Sequence, residues 1–259
     1  MPDKLHLFIC GLNRSGTSLL HRLLRMHPSI SGFTDTGALE DEGQHLQSVF
    51  PPARAFGGAG KFCFDANARL NETSPLLTAD NRQKLAREWG RYWDMNKPIL
   101  IEKSPPDLIR MRFLQAMFPR SRFIILMRHP LAVGYATQKW SKTGIGDLVE
   151  HWAAGHRIML EDMPHIRHHI ILRYEDFVSA PESAMRKLYD FIGIEPSPMS
   201  EPVETNVNRK YLALWEAEMS ADPGLLQRVR LSRDLPNRFG YHFVPPYVKP
   251  SAMKLLTDA

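Results

Sequence analysis

Residues 123–127 read FIILM, apolar at every position. A strand with one wet face alternates apolar and polar side chains, so an unbroken apolar run is the pattern of a strand covered on both faces, as in a parallel sheet with helices above and below. The rest of the chain keeps this rhythm. Leu5–Cys10, Ile99–Ile101 and Ile170–Leu172 are further short apolar runs, and the four runs are followed in chain order by Gly16–Met26, Pro106–Phe118, Leu131–Ser141 and Pro181–Ile192, which have helical period. Leu20, Leu23 and Leu24 share one helical face, as do Met185, Leu188, Tyr189 and Ile192. Pro106 and Pro181 stand where a first helical turn tolerates a missing N–H, and Gly193 stands where a helix end favours a left-handed residue. The pattern predicts an α/β fold: a three-layer sandwich with a central parallel sheet and helices on both faces.

At 259 residues the chain is long enough to bury a large core without a metal or disulfide staple, and the expectation is a single domain over 1–259. Two segments break the rhythm. Residues 51–75 carry Pro and Gly punctuation with isolated aromatics and read as an ordered loop or a lid that meets an acceptor. Residues 195–259 lose the alternation and read as an irregular C-terminal region around a helical piece near Tyr211–Met219. Two cysteines in a chain this long do not make a disulfide framework, so Cys10 and Cys63 are expected to be free thiols of a reducing compartment. No apolar run reaches the roughly 18 residues of a membrane span. The opening MPDKLHLFICG lacks the apolar region and cleavage site of a signal peptide, so the expected location is cytoplasmic. The net charge of +5 favours anionic ligands but is spread without a Lys/Arg block, which argues against nucleic acid as a partner.

The segment CGLNRSGTSLLHRLL follows the first apolar run and opens a helix, and such a turn offers backbone N–H groups and a helix N-terminus to a phosphate. Gly11 to Gly16 has the G-x-x-x-x-G spacing of a P-loop, but Thr17 occupies the place of the P-loop lysine and Ser18 follows it. Without that ammonium the usual grip on β- and γ-phosphates is missing, while Arg14 still supplies one positive charge. Arg14, Ser15, Gly16, Thr17 and Ser18 therefore suit a single 5′-phosphate carrying a less charged group, on a P-loop-type sandwich. The plain alternative is a serine-rich turn that only caps the helix. A second anion site is predicted at Arg128, His129 and Pro130, where a strand gives way to a helix at the sheet's carboxyl edge; the alternative for Arg128 is a surface ion pair.

The loop with RSGTSLL and LLRMHPSI resembles the 5′-phosphosulfate loop of sulfotransferases that use 3′-phosphoadenosine-5′-phosphosulfate (PAPS), in the branch of bacterial and tyrosylprotein enzymes. EKSPPDLIRMRFLQAMFPRSRFIILMRHPLAVGYATQKW resembles the same family's lysine segment and its strand, Arg and helix for the 3′-phosphate. LRYEDFVSAPESAMRKLYDFIGI resembles its Tyr-Glu-Asp segment. The resemblance covers about residues 5–35 and 99–194. It implies PAPS as donor, 3′,5′-adenosine bisphosphate as product and no metal. Arg128 would then hold the 3′-phosphate, Tyr174 would lie near the adenosine and Lys103 would be a catalytic cation. The family serine eight residues after the Arg is Ala136 here, with Thr137 beside it as a substitute, and Lys139 is a further cation toward the 3′-phosphate.

Sulfuryl transfer needs a base for the acceptor proton, positive charge on the leaving phosphate and in-line positioning. Arg14 and the loop amides meet the second need together with Lys103, which Ser104 would orient unless it only caps the next helix. TDTGALEDEGQHLQ places Asp35, Glu40, Asp41, Glu42 and His45 close together, and tyrosylprotein sulfotransferases resemble it in having an acidic base in this region. Glu42 is the chosen base, with Glu40 and His45 as alternatives; at a spacing of three, Glu42 and His45 would share a helical face. The other account of these acids is a helix N-terminal turn. His165, His168 and His169 read as an exposed approach to a strand rather than a metal site. The acceptor is expected to be a hydroxyl of a small molecule, lipid or carbohydrate. Two other functions remain open at this stage: an unusual P-loop phosphotransferase using magnesium and ATP or GTP, and a non-catalytic nucleotide-binding protein.

Overall fold

The apolar runs form one parallel sheet of five strands, β1 (Leu5–Cys10), β2 (Ile30–Gly32), β3 (Ile99–Lys103), β4 (Ser121–Met127) and β5 (His169–Arg173), in the order β2-β3-β1-β4-β5. The structure, a computed structural model, describes residues 3–199, 201–229 and 234–250. β1 lies in the middle, with Leu7 opposite Ile101 of β3 and opposite Arg122 of β4. Because all neighbours are parallel, every carboxyl end meets one edge, where such sheets bind ligands.

The helices are α1 (Thr17–Arg25), α2 (Ala79–Trp89), α3 (Met111–Met117), α4 (Pro130–Ser141), α5 (Ile145–Asp162), α6 (Tyr174–Ser179), α7 (Pro181–Ile192), α8 (Arg209–Ala221), α9 (Leu225–Arg228) and α10 (Asp234–Arg238). The pleat of β4 splits FIILM between two cores. Phe123, Ile125 and Met127 pack with Trp89, Phe113 and Trp152 on one face, and Ile124 and Leu126 with Leu20, Leu23, Leu24, Met185 and Leu188 on the other. Each large side chain fully buried in this way contributes about 1.5–3 kcal/mol of transfer free energy. The three-layer α/β sandwich of the sequence reading is thus present. α7 opens on Pro181 and stops at Gly193, whose φ of 78° lets its N–H return to Tyr189 O.

Two expectations need correction. The helix expected over 106–118 is instead a 3-10 turn at Pro105–Ile109 followed by α3, with Arg110 leaving helical geometry at φ −132° between them. Successive prolines withhold two amide donors, and the Arg110 side chain turns away to donate to Ala68 O and Pro51 O. The 195–259 region is less irregular than expected: α8, α9 and α10 lie in it, and Trp215, Leu225, Val229 and Phe243 bury against Leu131 and Tyr135 of α4 and Val149 of α5. Its residues 200, 230–233 and 251–259 lie outside the described residues. The alternation also missed β2, α2 and α5. In α5 the buried face includes His151, His156 and Asp162, so its apolar stripe is interrupted in the sequence.

Segment 51–75 is an ordered wall. It folds into 3-10 turns at Ala53–Phe56, Phe62–Phe64 and Ala66–Ala68, with Phe62 and Ala68 fully buried. The two Arg110 hydrogen bonds bolt its start at Pro51 and its turn at Ala68 to the α/β core.

Candidate active site

The loop after β1 is shaped by close approach. A Cβ on Gly11 would stand 2.4 Å from the carbonyl oxygen of Leu126, and one on Gly16 2.6 Å from the Tyr174 ring. Arg14 at φ 69° and Gly16 at φ 99° are both left-handed, and these two reversals swing the N-terminus of α1 toward the sheet edge. Ser15 and Thr17 are buried, and the Ser15 hydroxyl has no hydrogen-bond partner among the described residues. Ser18 is exposed and donates to Glu40 Oε2 at 3.4 Å. The Arg14 guanidinium stacks 4.7 Å over the Trp140 ring. The sequence reading passed over Trp140, an exposed aromatic at the end of α4.

Arg128, directly after β4, is buried rather than a surface ion-pair partner. Its Nε donates to Asn208 Oδ1 at 2.8 Å, its Nη1 donates to Arg14 O at 2.9 Å, and its plane lies 4.3 Å over Tyr174 and 5.7 Å over Tyr211. Nη2 is buried and has no partner among the described residues. Burial pushes this guanidinium below its usual range and the Tyr174 phenol above its own. Arg128, Tyr174 and the glycine loop therefore form one continuous cluster. Thr137 is set beside Asn13, Gly60 and His151 on a small cavity, its buried hydroxyl unpartnered among the described residues. Ala136 is buried, and Lys139 is exposed, 5.1 Å over Trp140. Asn208 and Tyr211 carried no signal that sequence reasoning could use, because they come from a helix distant in sequence from β4.

Across the sheet edge, Lys103 at the end of β3 donates to Glu42 Oε1 at 3.3 Å and to Glu40 O at 3.0 Å. Gln44 Nε2 donates to Glu42 Oε2, and Gln44 Oε1 accepts from Ala53 N. His45 Nε2 stands 3.9 Å from Glu42 Oε2. The pairing expected of Glu42 and His45 is present, but not on an α-helix: Glu42 is extended between 3-10 turns at Leu39–Asp41 and Gly43–His45, and the 3-10 period brings residues three apart into line. Burial raises the Glu42 carboxyl above its ordinary value, opposed by the Lys103 charge. Burial also lowers the His45 imidazole, as do the Arg54 and Lys103 charges. The Glu40 side chain is exposed, and Asp41 is occupied by Thr36 and the backbone, so Glu42 is the buried carboxylate of the group. Glu102 Oε1 accepts from Gly43 N at 2.8 Å and from Ser104 Oγ at 2.6 Å, and Ser104 Oγ accepts from Gln44 N at 3.0 Å. This tie fixes the turn that carries Glu42 to the end of β3.

A cavity of about 680 Å³ joins the two halves, lined on one side by Arg14, Thr17 and Ser18 and on the other by Glu42 and His45. Arg54, Gly58 and Ala59 from the 51–75 wall complete it. His165 and His168 are exposed as expected, but His169 is buried within β5, because the strand starts one residue before its apolar run. Among the described residues there is no group of three or more His, Cys, Asp or Glu side chains able to hold a metal ion. Among them, too, no helix is long and apolar enough to cross a membrane.

The model of the sulfotransferase family matches residues 6–198. Nodulation protein NoeE of Sinorhizobium fredii is 24% identical over 223 residues, spanning 76% of this chain and 52% of that protein. Protein-tyrosine sulfotransferase 2 of Gallus gallus is 24% identical over 200 residues, spanning 73% and 51% respectively. The chain thus spans about half the length of these curated relatives. Among solved structures, the sulfotransferase domain from the curacin biosynthetic pathway superposes with a TM-score of 0.55 at 18% identity, over 90% of this chain and 97% of that one. A sulfotransferase from Mycobacterium avium superposes with a TM-score of 0.51 at 15% identity, over 86% and 69%. These structures share the α/β fold, and the family match covers well over half of the sequence: the chain belongs to the sulfotransferase family.

Proposed function

We propose that this chain transfers the sulfuryl group of PAPS to an acceptor hydroxyl, without a metal. The observation that carries the reading is the single cavity that holds the lysine-free phosphate loop on one wall and the buried Glu42 on the other. The donor's 5′-phosphosulfate fits the loop of Arg14 to Ser18. Its 3′-phosphate fits Arg128, whose buried Nη2 lacks a partner among the described residues. Tyr174, stacked on Arg128 and against Gly16, suits the nucleoside between them. Thr137 is a candidate only for a secondary donor contact.

In this mechanism the Glu42 carboxylate takes the acceptor's proton. The acceptor oxygen bonds to sulfur as the bond from sulfur to the 5′-phosphate oxygen breaks, and 3′,5′-adenosine bisphosphate leaves. Arg14, the loop amides and Lys103 offset the charge that develops on the leaving phosphate. His45 stands beside Glu42 as its neighbour in the cavity. A single phosphate carries less charge than a triphosphate, so these groups suffice without a divalent ion. Leu39, Pro52, Ala59, Pro105 and Trp140 offer an apolar wall with Arg54 among them, suited to a small-molecule, lipid or carbohydrate hydroxyl. Asn208 reaching back to Arg128 supports reading the chain as one catalytic unit, and two buried free cysteines fit a reducing cytoplasm.

Calorimetric titration and transfer of labelled sulfate test this reading. Expected are binding of 3′,5′-adenosine bisphosphate in the presence of a chelator and transfer from PAPS to a panel of phenols, alcohols and glycosides. Glu42→Gln should lower transfer by about 10²-fold or more while nucleotide binding is kept. Binding of magnesium ATP with no response to the bisphosphate would overturn it.

A further inference from the structure

Arg128 is restrained on almost every side. Tyr174 and Tyr211 lie over its guanidinium, Asn208 takes Nε and the Arg14 carbonyl takes Nη1. Asn208 is itself fixed, since its Nδ2 donates to Glu175 Oε1 at 2.6 Å. The same oxygen accepts from His129 N at 3.0 Å, and Glu175 Oε2 accepts from the Tyr241 hydroxyl at 2.9 Å. Asn208, Tyr211 and Tyr241 all lie beyond residue 198, where the match to the family model ends. A buried donor without a partner is costly, so the restraint that satisfies Nε and Nη1 and leaves the buried Nη2 without a partner among the described residues needs a reason.

We propose that Asn208 and Tyr211, at the start of α8, are positioning residues for the 3′-phosphate of the donor, locking the Arg128 guanidinium so that Nη2 is presented to that phosphate. The proposal rests on the donor reading above and adds to it a part of the chain that the family match does not reach. Asn208 sets the rotation of the guanidinium about its long axis, Tyr174 and Tyr211 hold its plane, and Glu175 keeps the Asn208 amide facing the right way. A preorganised guanidinium loses little freedom when the phosphate arrives, so the clamp acts on affinity for one phosphate only.

The test compares 3′,5′-adenosine bisphosphate with adenosine 5′-monophosphate by calorimetry on the full chain, so that the ratio of the two dissociation constants isolates the 3′-phosphate. Asn208→Ala and Tyr211→Leu should each shrink that ratio by about tenfold or more, the scale of one charge-assisted hydrogen bond, and leave monophosphate affinity unchanged. Tyr211→Phe keeps the ring and should keep the wild-type ratio. Retention of the full ratio in Asn208→Ala and Tyr211→Leu, or equal weakening of both nucleotides, would overturn the proposal; the second result marks a merely structural role. A wild-type chain that binds neither nucleotide, or binds both equally, would instead remove the donor reading itself.

Discussion

Lys103 Nζ stands 3.3 Å from Oε1 of Glu42, and both side chains are buried, Glu42 in the wall of the cavity and Lys103 behind it. Neither charge has bulk water in reserve, so each depends on the other and on the few hydrogen bonds around them. Glu42 accepts from Gln44 as well, and Lys103 donates to the Glu40 carbonyl.

Removing one partner should therefore cost more than removing both. Lys103→Met leaves a buried carboxylate uncompensated and should destabilise the fold by about 3–5 kcal/mol near pH 7, measured by urea unfolding. The Lys103→Met/Glu42→Gln double variant should recover most of that loss. Equal losses in the single and double variants would show that the pair is not coupled.

With Glu42 as the proposed base, the pH dependence of transfer follows from its raised carboxyl. Only the ionised form accepts a proton, so kcat/KM should fall as pH drops through a value above the ordinary 4.5. In Lys103→Met the opposing positive charge is gone, and this acid limb should move to higher pH. The stability contribution has the opposite slope. A carboxyl raised in the folded state favours folding most below its unfolded pKa and loses that contribution as pH rises through its folded value. Glu42→Gln should therefore flatten stability across this range, as read from unfolding free energies at several pH values.

Buried histidines should make the fold acid-labile. Burial pushes His6, His129 and His156 down to about 4 and His21 and His151 down to about 3, from 6.5. The unfolded chain binds these protons first, so stability should fall as pH drops below 6.5 and continue falling to about 3. Each such histidine removes on the order of 2 kcal/mol by pH 5. Unfolding titrations that showed no loss between pH 7 and pH 5 would contradict the neutral, buried state of these rings.

Alanine at Gly16 meets both a left-handed backbone and the Tyr174 ring, where its Cβ would lie 2.6 Å from Cδ2. The ring also underlies Arg128, so the displacement should reach both of the proposed phosphate positions. Gly16→Ala should weaken 3′,5′-adenosine bisphosphate binding by at least tenfold, on the scale of roughly 1–3 kcal/mol for a strained backbone position. Gly37→Ala, with φ 78° but nothing within 4 Å of its Cβ among the described residues, separates backbone strain from collision and should leave nucleotide binding unchanged.

The sheet was legible because burial on both faces writes itself into consecutive residues: Leu5–Cys10 is β1 to the residue, and FIILM is the buried run of β4. The glycine turn after β1 was legible because its shape is local, with Arg14 and Gly16 in left-handed backbone conformations. What escaped was whatever depends on distant partners. Arg110 breaks a helix because its side chain serves carbonyls at 51 and 68, and α5 hides its buried face behind histidines. Glu42 and His45 were rightly paired for a reason that was wrong in kind, a 3-10 turn in place of an α-helix. Asn208 had no motif to announce it, since its significance lies in where α8 folds back.

Of the chain's five tryptophans, Trp89, Trp93, Trp152 and Trp215 are each no more than 5% exposed, whereas Trp140 is 50% exposed beneath the Arg14 guanidinium. A dissolved collisional quencher such as acrylamide therefore has ready access to one indole, and that indole sits at the lip of the glycine loop. The protein carries its own optical reporter, in which emission from a native side chain registers whatever draws Arg14 away, with no label added.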